Sequence, residues 1–177
     1  GEAIERFEFA DGSSFDQIVF DGDTYNDDGW LHVRGSGSTD DLIITSDIPG
    51  EKLYLIGDGG DDTLVAKHDG VSYNFLGGRA GSDTYVYHAS AGDTWISTWG
   101  EDVSHVGTDV FRFADLNVDD IVFSTFAHAS YGEVLEARFT DGGQEHSMRF
   151  ANMGEAIERF EFADGSVVNN ADDFIFG

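Results

Sequence analysis

Cysteine is absent from this chain, proline occurs once, and only 9 of its 177 residues are Lys or Arg. Without cysteine neither a disulfide framework nor a thiolate zinc site can form, and the redox compartment leaves no trace in the sequence. The shortage of basic residues sets 9 positive groups against 35 Asp and Glu, a formal charge of −26. Such a chain makes a poor partner for nucleic acid or anionic membrane surfaces, and its self-repulsion opposes folding unless something positive is bound. Hard divalent cations, which prefer oxygen ligands, are the natural counterparts. No apolar run approaches the roughly 18 residues of a membrane span, so no membrane insertion is expected. Residues 1–20 are acidic and lack the hydrophobic stretch of a signal peptide, which places any export signal elsewhere in a longer parent.

Aromatic residues, by contrast, are plentiful. The 15 Phe, 6 Tyr and 3 Trp separate this chain from disordered acidic sequences and provide enough apolar surface for a core once repulsion is relieved. Short β-branched and aromatic runs at Ile18 to Phe20, Leu42 to Thr45, Leu53 to Ile56, Tyr85 to Tyr87, Val110 to Phe113 and Ile121 to Phe123 are separated by Gly and Asp. They read as strands, and no stretch carries a sustained helical period. Pro49 before Gly50 marks a turn, and Phe7 and Phe9 flanking Glu8 read as a strand entering the Ala10-Asp11-Gly12 turn. The expected fold class is all-β.

Residues 1–13, GEAIERFEFADGS, recur without change at 154–166, and Asp16 to Phe20 finds a looser echo in Asp172 to Phe176. The chain thus reads as one repeat unit that runs into the opening of the next copy. Between residues 35 and 113 a second pattern returns: a Gly-rich turn closed by Asp, one polar residue, then a large apolar one. It is clearest at Gly57-Asp58-Gly59-Gly60-Asp61-Asp62-Thr63-Leu64-Val65 and recurs at Gly78-Arg79-Ala80-Gly81-Ser82-Asp83-Thr84-Tyr85-Val86. A weaker copy spans Gly35 to Ile43 and closes on Asp40, and looser ones end in Asp93-Thr94-Trp95 and Asp109-Val110-Phe111. Glycine permits positive φ, so six residues can curl with their carbonyl oxygens converging while the closing Asp adds a carboxylate. Calcium accepts six to eight oxygens in flexible geometry. Candidate metal-site residues are therefore Asp40, Gly57, Asp58, Gly60, Asp62, Gly78, Gly81, Asp83 and Asp93, with Asp58 and Asp61 also readable as solvated turn residues.

In these turns the chain resembles the RTX, or haemolysin-type, nonapeptide calcium-binding repeats, whose pattern is GGxGxDxUx. The resemblance implies a short parallel β-roll with calcium between turns stacked along one edge. Asp40 precedes Asp62 by 22 residues and Asp62 precedes Asp83 by 21, close to the family's coil of about 18 residues. The extra residues fall at Thr45 to Lys52 and Ala66 to Tyr73, expected as a poorer second edge. Ser38 stands where the family has a glycine, and only one copy is clean, so two or three Ca2+ ions are expected. Residues 109–166, with Phe111-Arg112-Phe113-Ala114-Asp115-Leu116 and Ile157-Glu158-Arg159-Phe160-Glu161-Phe162, resemble the domain found beside such repeats, which implies an antiparallel β cap. The expected division is 1–34 as the tail of a preceding unit and a hairpin leading into the roll, 35–113 as the roll, 114–166 as the cap and 167–177 as the start of the next unit.

Other chemistries have less support. The six histidines include no pair at metal-ligand spacing, and neither G-x-S-x-G nor H-E-x-x-H occurs, so no enzyme is expected. The acidic loop Asp21 to Gly29 lacks EF-hand spacing and reads as a hairpin tip. Tyr85, Tyr87, Trp95 and Trp99 offer either an aromatic platform for sugar or, for Tyr85 and Trp95, inward core positions. The leading functional expectation is a calcium-binding structural repeat of a large secreted bacterial protein of adhesin or surface-matrix type. Its setting would be extracellular or at the cell surface, reached by type I secretion as the resemblance implies, with neighbouring repeat units as partners. The alternatives are a folding and secretion module flanking an exported enzyme, or a carbohydrate-binding module.

Overall fold

Apolar runs of three to five residues interrupted by Gly and Asp are too short for stable helices, but each makes a strand if neighbours pair with it. The computed structural model describes residues 7–8, 14–15, 17–20, 25–27, 30–35, 41–45, 52–67, 73–96, 107–151 and 157–176. In chain order the strands begin with β1 (Phe7–Glu8), β2 (Ser14–Phe15), β3 (Gln17–Phe20), β4 (Tyr25–Asp27), β5 (Trp30–Arg34) and β6 (Asp41–Thr45). There follow β7 (Lys52–Gly59), β8 (Thr63–Ala66), β9 (Tyr73–Ala80), β10 (Thr84–Tyr87), β11 (Thr94–Ile96) and β12 (Val110–Phe113). The last are β13 (Val122–His128), β14 (Gly132–Asp141), β15 (Gln144–Phe150), β16 (Arg159–Glu161) and β17 (Val167–Val168), before one helical turn, α1 (Asp173–Phe176). No helix among the described residues is long and apolar enough to cross a membrane.

The strands form two large sheets, one of seven strands in the order β17-β16-β12-β10-β8-β6-β3 and one of eight in the order β13-β14-β15-β11-β9-β7-β5-β4. From β3 to β16 the chain passes back and forth between them, and each return lays the new strand parallel to the previous one of that sheet. One face of each sheet looks inward. Leu64, Ala66, Tyr85, Tyr87, Phe111, Phe113, Phe160 and Phe162 from the seven-stranded sheet meet Val33, Leu53, Leu55, Leu76, Ile96 and Phe150 from the other in a single buried cluster. In parallel register Leu64, Tyr85, Phe111 and Phe160 make one interior row. Phe113 and Phe162 stack with centroids 5.0 Å apart, and Phe111 meets Phe150 edge-on at 5.0 Å. Rings arranged this way gain about 0.5–1.5 kcal/mol per pair beyond the burial of their area.

Four sequence expectations change. The residues assigned to an antiparallel cap do not form a separate layer: β15 lies parallel to β11 and β16 parallel to β12, so only the β13–β14 hairpin, the β14–β15 pairing and β17 are antiparallel. Likewise β3 and β5, placed ahead of the coiled region by the sequence, already pair in parallel with β6 and β7. Ile43, not Leu42, aligns with Leu64, because adjacent Asp40 and Asp41 leave the turn's closing residue ambiguous in sequence. Trp95 is buried but faces outward. It aligns with Phe75 and Tyr54, on the side opposite to Ile96, and Tyr131 and His128 of the hairpin cover it.

Candidate metal centre

The Gly-rich turns join the ends of eight-stranded-sheet strands to the starts of seven-stranded-sheet strands: 57–62 connects β7 to β8, and 78–83 connects β9 to β10. Asp58 and Arg79, register partners at the second position of each turn, take φ of 78° and 81°, and Gly60 and Gly81 take 117° and 142°. At Gly81 the requirement is doubly strict, since an added Cβ would also overlap the carbonyl of Gly60 in the turn below. Gly60 N–H donates to Ala80 O at 2.9 Å, which stacks the two turns face to face.

The closing residues form a column. Asp62 N–H donates to Asp83 Oδ1 at 2.9 Å, Asp83 N–H to Asp109 Oδ1 at 2.8 Å, and Asp109 N–H to Glu158 Oε2 at 2.6 Å. Each acidic side chain thus satisfies the backbone N–H that precedes the neighbouring strand, where the ladder has not yet begun. Strand register extends the column in the other direction, placing Asp41 level with Asp62 and Gln17 level with Asp41. A second column runs the opposite way: Ser82 N–H donates to Asp61 Oδ1 at 2.8 Å and Thr108 N–H to Ser82 Oγ at 3.0 Å.

Within this column Asp83 is the most exacting residue. It is wholly inaccessible, and while Oδ1 accepts from Asp62, Oδ2 is buried with no hydrogen-bond partner. Burial, helped by the charge of Asp61 and opposed by the bond from Asp62, raises its pKa to about 6. The side chain folds back over Gly78, where an added Cβ would collide with the carboxylate, and Asp62 lies over Gly57 in the same way. Gly78 is itself held from inside, its N–H donating to the Tyr85 hydroxyl at 2.7 Å. A buried carboxylate oxygen in a glycine cradle, beside a stacked turn rich in carbonyls, suits a hard cation. Among the described residues no three Asp, Glu or His side chains converge, so calcium here would draw on the carboxylates of the column and on main-chain oxygens.

The other sequence candidates are distributed as follows. Gly57, Gly60, Asp62, Gly78, Gly81 and Asp83 come together in the two stacked turns. Asp58 lies in the same turn, but its carboxylate receives Arg34 at 2.9 and 2.8 Å and also Arg79, an ion-pair cluster on the outside of the eight-stranded sheet. Asp93 sits at the opposite edge, before β11, where its Oδ1 accepts from Ser147 N–H at 2.9 Å. Asp40 lies outside the described residues, as does Trp99. Tyr85 and Tyr87 belong to the interior. Sequence reasoning left out Asp109 and Glu158 as site residues. The Gly107-Thr108-Asp109 spacing carried a signal for the first, whereas nothing local pairs Glu158 with a residue 49 positions earlier. No family model matches the chain, and no curated protein shows significant similarity to it.

Proposed function

We propose that this chain is a calcium-folded structural module of a secreted repeat protein, a parallel β-roll whose Gly-Asp turns hold the ions along one edge. The observation that carries the reading is Asp83, whose partnerless, fully buried Oδ2 sits in a cradle only glycine leaves open. A carboxylate so placed is costly unless it is protonated or met by a cation. The alternation of parallel strands between two sheets and the RTX-like turn sequences support the same view. A formal charge of −26 supplies the coupling, since ions bound only by the folded form contribute their binding free energy to folding. In a compartment poor in calcium the chain would stay open, and at extracellular calcium it would close.

Far-UV circular dichroism during a calcium titration tests this directly. The chelated chain is expected to lack most of its β signal at neutral pH and to gain it cooperatively at about 10⁻⁴ to 10⁻³ M calcium, the range of extracellular modules. An unchanged spectrum and melting temperature between excess chelator and saturating calcium would refute the proposal.

A further inference from the structure

The repeated segment has a defined job where it is visible. In the copy at 154–166, β16 extends the seven-stranded sheet by lying parallel to β12, with Phe111 opposite Phe160 and Arg112 opposite Glu161. Ile157, Phe160 and Phe162 are buried in the main cluster, Phe160 against Phe150 and Phe162 stacked on Phe113. Glu158 takes the Asp109 N–H at the end of the acidic column, Arg112 Nε donates to Glu161 Oε2 at 2.8 Å, and Ala163 N–H donates to Leu116 O at 3.0 Å. Every one of these groups has its twin in the first copy: Ile4, Glu5, Phe7, Glu8, Phe9 and Ala10.

Phe7 pairs with Phe15 and Glu8 with Ser14, antiparallel, just as Phe160 pairs with Val168 and Glu161 with Val167, so the two hairpins share one register. Yet among the described strands β1 pairs with β2 alone, in a two-stranded sheet of its own, while the β12 edge is occupied by β16. The molecule therefore carries two identical keys and, among the described strands, one lock.

We propose that residues 1–13 are a closing hairpin for the β12 edge of a second copy of this chain, docking there in the place that residues 154–166 fill within one molecule. Residues 1–13 can offer β12 the same side chains as residues 154–166, while the packing of Phe174 on Phe160 and Phe162 belongs to the resident copy alone, so that packing and effective concentration both favour the resident copy in a dilute single chain. Joined units instead place a following copy of the hairpin at every β12 edge. Head-to-tail assembly then requires no new interface, only exchange of equal segments, and it extends in one direction without closing.

The test uses the full chain in calcium-containing buffer. Phe160→Ala weakens the resident key while leaving Phe7 intact, and sedimentation velocity should show a shift from monomer to dimer and longer species. Adding Phe7→Ala should abolish that shift. A folded Phe160→Ala chain that stays monomeric, or one that associates equally with Phe7→Ala present, overturns the proposal. If Phe160→Ala alone is unfolded, a synthetic peptide of residues 1–20 in excess must restore the β spectrum and its Phe7→Ala version must not. Failure of the first peptide, or equal rescue by the second, overturns the proposal as well.

Discussion

Replacing Asp83 by Asn tests the physics of the candidate site apart from any metal. The amide keeps an oxygen for the Asp62 N–H and nearly the same volume beside Gly78, but removes a buried charge whose second oxygen has no hydrogen bond. In the folded protein burial raises this carboxyl from 3.8 to about 6. A folded pKa above the unfolded one means that the folded state binds the proton more readily, so Asp83 opposes folding above pH 6 and this opposition fades as pH falls towards 4. The rise corresponds to about 3 kcal/mol, applied in full because the group has no exposure to solvent. Metal-free wild-type and Asp83→Asn chains can be compared in a sulfate titration, which supplies a folded fraction even where repulsion keeps the chelated chain open. At about pH 7.5 the variant should fold more favourably by about 3 kcal/mol, and at about pH 4.5 that advantage should shrink to about 1 kcal/mol. With saturating calcium the order should invert, because the ion now favours the charged form. A difference that does not change with pH in the absence of metal, or a wild type that folds better than the variant at pH 7.5 without calcium, would refute the argument.

Four further substitutions separate the turn from its surroundings. Gly78→Ala pushes a methyl group into the Asp83 carboxylate and should cost about 1–3 kcal/mol and blunt the calcium response in thermal melts. Gly142→Ala, at φ of 55° with open space around it, should cost only about 1 kcal/mol and leave that response unchanged. By isothermal titration Asp62→Ala should weaken calcium binding, whereas Asp58→Ala should preserve it and lose at most about 1 kcal/mol of stability, since the Asp58 carboxylate is engaged by Arg34 and Arg79 near the surface.

The turns were legible because glycine is a statement about φ: where the sequence spaces Gly and Asp as at 57–62 and 78–83, few other conformations use that spacing. The strands were legible because their apolar residues are β-branched or aromatic and end abruptly at Gly or Asp, as at Tyr85 to Tyr87 and Val110 to Phe113. Long-range pairing was not. Glu158 joins Asp109 across a hairpin that carries no trace of the column. Trp95 sits in a strand of three residues, Thr94–Ile96, too short for alternation to reveal which side chain faces inward. Asp172 to Phe176 echoes Asp16 to Phe20 in sequence, but the first strand pairs with β6 while α1 makes a helical turn whose Phe174 stacks on Phe123 at 3.9 Å. A sequence cannot say which of two outcomes a neighbour will select.

The spacing of the acidic column bears on how such a module changes over time. Successive members lie 21, 26 and 49 residues apart, yet their hydrogen bonds are of nearly equal length. The register is thus set by a closing acid and a strand of three or four residues, and it is indifferent to how much chain loops out before the next coil begins. The longest interval holds the whole β13–β14 hairpin and the exposed Gly142-Gly143 turn, with no break in the stack. Inserted sequence at that edge would be tolerated on the same grounds, which makes it the natural ground for diversification while the turn edge stays fixed.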